Sequence, residues 1–381
     1  MKNGKFTNTI IRMQYVPRWS EYAPRFEDNA ASHSFRCAAL SIVIATAEEH
    51  LYSNPIDKLK LLGRCLWGDL KNTGTGSIKY VTKKETLVIN HIRSFEKELS
   101  KEIVSYLSKS LQPAAADFIV DAQDDSFVGQ LVEAIDTFDA MLFCHREAKY
   151  GSNPFFQAKY EELRQLLAGS KQPSIVWLLA EYEKQEGVAA FLGYIVDLDT
   201  VKRWNGSYNL VPDNDATHSF RVASLALFNG LLERDRFGQA EFDLYELVAK
   251  AVLHDLPEVL SGDVVTNFKH NNEEIKLAFE QYEKETAATI VELLPAEFRS
   301  EMTSYIVDSK SDDYAGEMVD IADKLDALIK AGLEMRNNPH YAETYYQQLI
   351  KIQHRYENPC VIFFLAYILH DLTYSNLIGQ Q

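Results

Sequence analysis

Cysteine is scarce. The four in 381 residues, Cys37, Cys65, Cys144 and Cys360, lie far apart and form no CxxC pair. That argues against a disulfide framework and a cysteine-built structural zinc site, and it is what a reducing cytosol keeps. Positive charge is scarce too: 39 Lys and Arg against 55 Asp and Glu leave a net charge of -16 and a pI near 5.1. Nucleic acid is therefore not expected as a main partner, because phosphate backbones select basic faces. An anionic small molecule remains compatible, since a metal ion and a few local cations override the global field at short range. Residues 1–20 hold no apolar run of the signal-peptide kind. The longest apolar run, Val361 to Leu369, is too short to cross a bilayer and reads as a buried helix. A cytoplasmic protein without membrane contact is expected. Strand-like alternation is rare, no HExxH helix occurs, and no strand leads into a glycine-rich phosphate loop. Gly74-Thr75-Gly76-Ser77 lacks the Gly-Lys-Ser/Thr ending of such a loop and reads as a flexible connection.

What is abundant is helical periodicity. Leu244–Leu260, Glu273–Leu294 and Glu317–Arg336 are amphipathic segments punctuated by Gly, Pro and Asn, and 46% hydrophobic residues can fill sizeable cores. The fold expected is all-α.

The chain also repeats itself. Arg18-Trp19, Asp28-Asn29 and Ser32-His33-Ser34-Phe35-Arg36 return as Arg203-Trp204, Asp213-Asn214 and Thr217-His218-Ser219-Phe220-Arg221. The offset is 185 at Arg18/Arg203 and His33/His218, 186 at Asp69/Asp255, and 187 at Asp136/Asp323 and Asp139/Asp326. It is 185 again at Pro154/Pro339, and the segments from Pro173 and Pro359 match as endings. So many words in one order mark a tandem duplication of a unit of roughly 180 residues, the size of one domain. Two helical bundles are expected, residues 1–186 and 187–381, joined in the polar stretch Lys184 to Gly187.

One stretch concentrates groups that resist burial. In Val252 to Asp263, the apolar residues Val252, Leu253, Leu256, Val259 and Leu260 surround His254, Asp255, Glu258 and Asp263. A buried carboxylate without a partner costs several kcal/mol, so such groups are normally paired or metal-bound. On a continuous helix Glu258 would share a side with His254 and Asp255. Together with His218 before it and Asp323 after it, the order is H…HD…D. Two imidazoles and two carboxylates suit one divalent ion (Mn, Co, Fe, Zn or Mg) in an open site completed by water.

This ordered set resembles the HD-domain metal-dependent phosphohydrolases, and the second unit resembles their YfbR-like 5′-deoxynucleotidase branch. The matching words are Arg203-Trp204, Asn214 with His218-Ser219, the span His254 to Asp263, Lys269, and Ala322 to Leu328. The resemblance implies two HD-like bundles, the first degenerate. It implies release of phosphate from a (deoxy)nucleoside 5′-monophosphate, with the ion on His218, His254, Asp255 and Asp323. By the same carry-over, Glu258 and Asp263 position or activate water, while Arg203, Trp204 and Lys269 hold the nucleotide. Plainer roles are packing for Trp204, a solvated charge for Lys269, and an ion pair with Asp213 or Asp215 for Arg203.

Some residues depart from the family pattern. VVTNFK replaces the usual proline-containing link after Gly262-Asp263, and Thr217 and Ser32 precede the first histidines where an acid is common. A second HD pair, His370-Asp371, has no counterpart in the first unit and reads as a helix end. In the first unit Gly68 stands at the place of His254, Asn72 at that of Glu258, and Thr73 to Ser77 replace the segment holding Asp263. Only the second unit is therefore expected to be catalytic. The alternatives are a nucleotide-sensing or scaffolding protein without significant turnover, and a hydrolase of another nucleotide phosphoester. A homodimer is compatible with the sequence.

Overall fold

The computed structural model describes residues 3–76, 78, 82, 85–238, 241–264, 268 and 272–374. The chain divides into two compact units, Met1–Glu183 and Lys184–Gln381, the break falling at the start of the polar stretch singled out above. Among the described residues there is no strand; the only extended pairings are the isolated bridges Pro17 to Asn29 and Lys202 to Asn214, one per unit at equivalent positions.

Each unit is built around one wrapped helix. In the first it is Ala30–His50, opened by Asn29, whose side chain accepts from Ser32 N at 3.0 Å. Every residue from Ala30 to Glu48 is buried, against Lys58–Trp67, Phe127–Tyr150 and Pro173–Glu183. This is the one described helix long and apolar enough to cross a membrane, and all of its apolar window is buried inside the unit. In the second unit the equivalent is Asp215–Asp235, opened by Asn214 accepting from Thr217 N at 2.8 Å. It is buried from Asp215 to Glu233, against Leu244–Leu253, Tyr314–Met335 and Pro359–Phe363. Gly230 lets Leu244–Leu253 come close: a Cβ there would meet Leu244 Cδ1 at 2.4 Å.

Three expectations need correction. The segment Leu244–Leu260 is not one helix: it stops at Leu253, passes through tight turns, and resumes as the short helix Glu258–Ser261. Pro257 has no N–H to continue the ladder. The neighbouring amides bond three residues back instead, Leu256 N to Leu253 O at 3.1 Å and Glu258 N to Asp255 O at 2.9 Å. Residues 72–75, expected in part as a flexible connection, form the matching short helix Asn72–Thr75 of the first unit. The run Val361 to Leu369 is helical, with a π turn at Phe364–Ile368, but buried on one face only: Ile362 and Tyr367 are each 61% exposed. His370 lies within the last helix, Leu369–Tyr374.

Candidate active site

The site of the second unit forms where four segments meet. The extended stretch carrying Arg203 is tied to the start of the central helix by Arg203 N donating to Asp213 O (3.1 Å) and Asp215 N donating to Val201 O (3.1 Å). That tie brings Arg203 beside His218. Trp204 then adopts a left-handed backbone (φ 61), as Trp19 does in the first unit (φ 58). A bulky side chain takes that conformation only where its surroundings enforce it. Trp204 is partly exposed and tilted against Tyr341, with ring centroids 5.9 Å apart, so it is not plain core.

His218 Nε2 lies 3.3 Å from Asp255 Oδ2 and 3.4 Å from Asp323 Oδ1, and His254 Nε2 lies 3.2 Å from Asp255 Oδ1. Ligand atoms of His218, His254 and Asp323 all fall within 4.8 Å of one another, and so do those of Asp215, Asp255 and Glu258. The second imidazole therefore sits with Asp323 while Glu258 sits with Asp215, and Asp255 joins the two groups. Both rings are held from behind. His218 Nδ1 donates to Asp326 Oδ2 at 2.7 Å and His254 Nδ1 donates to Ala251 O at 2.9 Å. In the neutral ring, with the hydrogen on Nδ1, each Nε2 presents its lone pair to the carboxylate cluster, and both Nε2 atoms are buried without a hydrogen-bond partner among the described residues. Paired lone pairs aimed at a carboxylate cluster are what a divalent ion needs, so the residues present fit one.

The electrostatics of the two rings differ, and by the protein's own charges only His254 is driven toward the neutral form. Burial lowers the His254 imidazole, against the pull of Asp255, and so favours the neutral form that binds metal. Burial and Arg203 act downward on His218, yet its contacts with Asp255, Asp323 and Asp326 outweigh them and hold it well above the usual range. Burial pushes the Glu258 carboxyl well above its ordinary range, with Asp255 and Asp215 adding repulsion against the pull of Arg203. Burial likewise lifts Asp215 to about 7, with Arg203 opposing and Asp255 assisting. Asp263 is raised by burial too, Arg203 opposing. Asp255 goes the other way: burial acts upward, but His254, His218 and Arg203 outweigh it and hold the carboxyl well below its ordinary range, and carboxyls driven apart in this way are suited to moving protons.

Arg203 Nη1 bridges Asp215 Oδ1 (2.8 Å) and Asp255 Oδ2 (3.0 Å), with Glu258 Oε2 at 3.9 Å. The plainer ion pair with Asp215 thus exists, inside the cluster. Lys269 lies outside the described residues. Three contributors escaped the sequence reading. Asp326 orients His218 and also takes Arg221 Nε at 2.6 Å, while Arg221 reaches Asp213 at 2.9 Å. Asp326 had a visible signal, its recurrence as Asp139 one helical turn after Asp136. Asp215 was weighed only as a partner. Lys310, whose Nζ lies 2.7 Å from Asp323 Oδ2, had no signal, since only folding brings it there.

The first unit keeps the frame and loses chemistry. His33 Nε2 lies 2.9 Å from Asp136 and 3.5 Å from Asp69, and His33 Nδ1 donates to Asp139 at 2.6 Å. Gly68, Asn72 and Ala30 stand for His254, Glu258 and Asp215. Arg18, lacking an Asp215 equivalent, pairs with Asp28 at 3.2 Å.

Helical units with a histidine–aspartate cluster whose donor atoms could hold a metal ion define a class, and comparison supplies the family. The family model described as "5′-deoxynucleotidase YfbR-like" matches twice, over residues 5–185 and 190–372, and the chain belongs to this family. A 5′-deoxynucleotidase of Shewanella oneidensis is 26% identical over 180 residues, covering 47% of this chain and 92% of that protein. One of Erwinia tasmaniensis is 30% identical over 140 residues, covering 37% and 70%. A solved HD-domain phosphohydrolase of Listeria innocua is 27% identical with a TM-score of 0.46, covering 50% of this chain and 92% of that one. These relatives match stretches of about one unit in length.

Proposed function

We propose that the second unit is a metal-dependent phosphohydrolase that releases phosphate from a nucleoside 5′-monophosphate, the deoxy form first among them. The single observation that carries this is the pair of imidazoles, His218 and His254, each held through Nδ1 so that Nε2 faces the buried carboxylates Asp255 and Asp323. These four residues would hold one divalent ion of the Mn, Co, Fe, Zn or Mg set. When bound, it supplies charge neutralisation on the phosphoryl oxygens and activation of the attacking water.

The chain supplies the rest. Glu258, its carboxyl pushed well above the usual range by burial with Asp255 and Asp215 adding repulsion, is placed to give a proton to the leaving 5′-oxygen. Asp263, half-buried beside Arg203, is the second proton carrier. Arg203 offers a planar fork to the phosphate while its pair with Asp215 sets its orientation. Trp204 offers a face to the sugar or base. Support for the substrate class comes from the relatives' names, 5′-deoxynucleotidase in both cases. The test is a screen of purified, metal-reconstituted protein for phosphate release from nucleoside monophosphates, with His254→Ala as control. Release that survives His254→Ala would refute this assignment. No release from any monophosphate would favour a sensing or scaffolding role, or another phosphoester.

A further inference from the structure

We propose that the first unit holds a divalent ion of its own, of the zinc class, on His33, Asp69, Asp136 and the Cys37 thiolate. Where the first unit loses the second imidazole, at Gly68, two thiols appear. Cys37 stands at the place of Val222, and Cys65 at the place of Ala251. Both line a cavity of about 20 Å³ with His33, Gly68, Asp69 and Asp136. A water-sized body needs roughly 10–15 Å³ measured this way, so the space admits an ion or a water.

The donors are spaced for one ion. His33 Nε2 is 2.9 Å from Asp136 Oδ1, 3.5 Å from Asp69 Oδ2 and 3.7 Å from Cys37 Sγ. Tetrahedral zinc with bonds of about 2.0–2.3 Å separates its ligand atoms by about 3.3–3.8 Å, which the Asp69 and Cys37 distances meet, while Asp136 sits at hydrogen-bond distance and would draw back on binding. His33, Cys37 and Asp136 form one of the groups whose ligand atoms lie within 4.8 Å of one another. The Asp139 bond to His33 Nδ1 aims Nε2 at Asp136 and the cavity, as Asp326 aims Nε2 of His218 at its carboxylates, and an ion would replace the hydrogen that His33 Nε2 gives Asp136. Cys37 Sγ lies over the ring, also 3.7 Å from Nδ1, so coordination asks for a change of its rotamer toward the cavity.

A thiolate among harder donors shifts preference toward zinc and cobalt and away from magnesium. Binding releases the Cys37 proton and the Nε2 hydrogen of His33 to solvent, and three anionic donors then face a dication. Lys71, 3.8 Å from Asp69 and standing where the second unit has Pro257, offsets the excess negative charge. The Asp136 side chain is 45% exposed, which leaves the ion a way in. With Asn72 in place of Glu258, the ion would have no neighbouring proton carrier there and no hydrolysis to perform.

The experiment is a cobalt(II) titration of the whole chain, read by bound metal and by the near-ultraviolet sulfur-to-cobalt charge-transfer band. We expect two ions per chain, with the band accompanying one of them. Cys37→Ser should remove the band, and Cys37→Val, a second variant with the side chain found at Val222, should do the same in a folded protein. His254→Ala should keep the band while losing the other ion. A wild-type chain that binds cobalt without the band, or a band that survives both Cys37 variants, overturns the proposal. If His254→Ala leaves the second ion in place with the band lost on Cys37→Ser, the assignment in the second unit fails and this one stands.

Discussion

The duplicated aspartates behind the first histidines offer a test with an internal control. Asp326 receives His218 Nδ1 at 2.7 Å and Arg221 Nε at 2.6 Å; Asp139 receives His33 Nδ1 at 2.6 Å and Arg36 Nε at 2.5 Å. All of these groups are buried. Changing either aspartate to asparagine keeps the shape and removes the charge. A hydrogen bond to a charged group contributes about 1.5–3 kcal/mol, so each variant should lose roughly 2 kcal/mol. At about 2–4 °C per kcal/mol for units of this size, the transition of the altered unit should fall by roughly 4–8 °C. That cost should be similar in both units, because the geometry is. Turnover should not be. Loss of the partner behind a metal-binding histidine typically lowers affinity or activity about 10–100-fold. Asp326→Asn should therefore lower phosphate release by that factor at limiting metal, while Asp139→Asn leaves it within about twofold of wild type. Calorimetry and a phosphate-release assay on the same preparations decide it. Equal loss of turnover in both variants, or full activity in Asp326→Asn, would refute the reasoning.

Other outcomes follow from the same geometry. Asp255→Ala should abolish turnover and the metal of the second unit, whereas Asp69→Ala should spare the rate; a rate lost equally in both, with folding intact, would mean that the copies share one site. Glu258→Gln should keep bound metal and lower kcat by about 10²–10⁴-fold, the usual worth of a positioned proton carrier; an unchanged kcat would remove Glu258 from the mechanism. Arg203→Met should raise KM for the nucleotide, and because it strips the buried Asp215 and Asp255 of their cation, the unit should also melt at lower temperature. Chelation should stop phosphate release, and restored manganese or cobalt should return it; release unaffected by a chelator that has removed all metal would end the metal reading.

The sequence by itself determined the helical class, the duplication and the histidine–aspartate order, because each is written in local pattern. Apolar period marks helices, and repeated words at a near-constant offset survive without any knowledge of packing. It could not show that Leu244–Leu260 breaks at Leu253, although Pro257 carried the reason, since propensity tolerates what the missing N–H does to one particular turn. Long-range electrostatics belonged to the tertiary structure alone. Asp326 meets His218 across 108 positions, Lys310 reaches Asp323 from a different segment, and Arg203 finds Asp255 52 residues away. Those pairings set which nitrogen carries its hydrogen and which carboxyl keeps its proton. The same holds in the first unit, where sequence records only a missing histidine. Folding gathers Cys37, Cys65, Gly68 and Asp136 around one small cavity, because contacts between distant residues exist only after the helices pack.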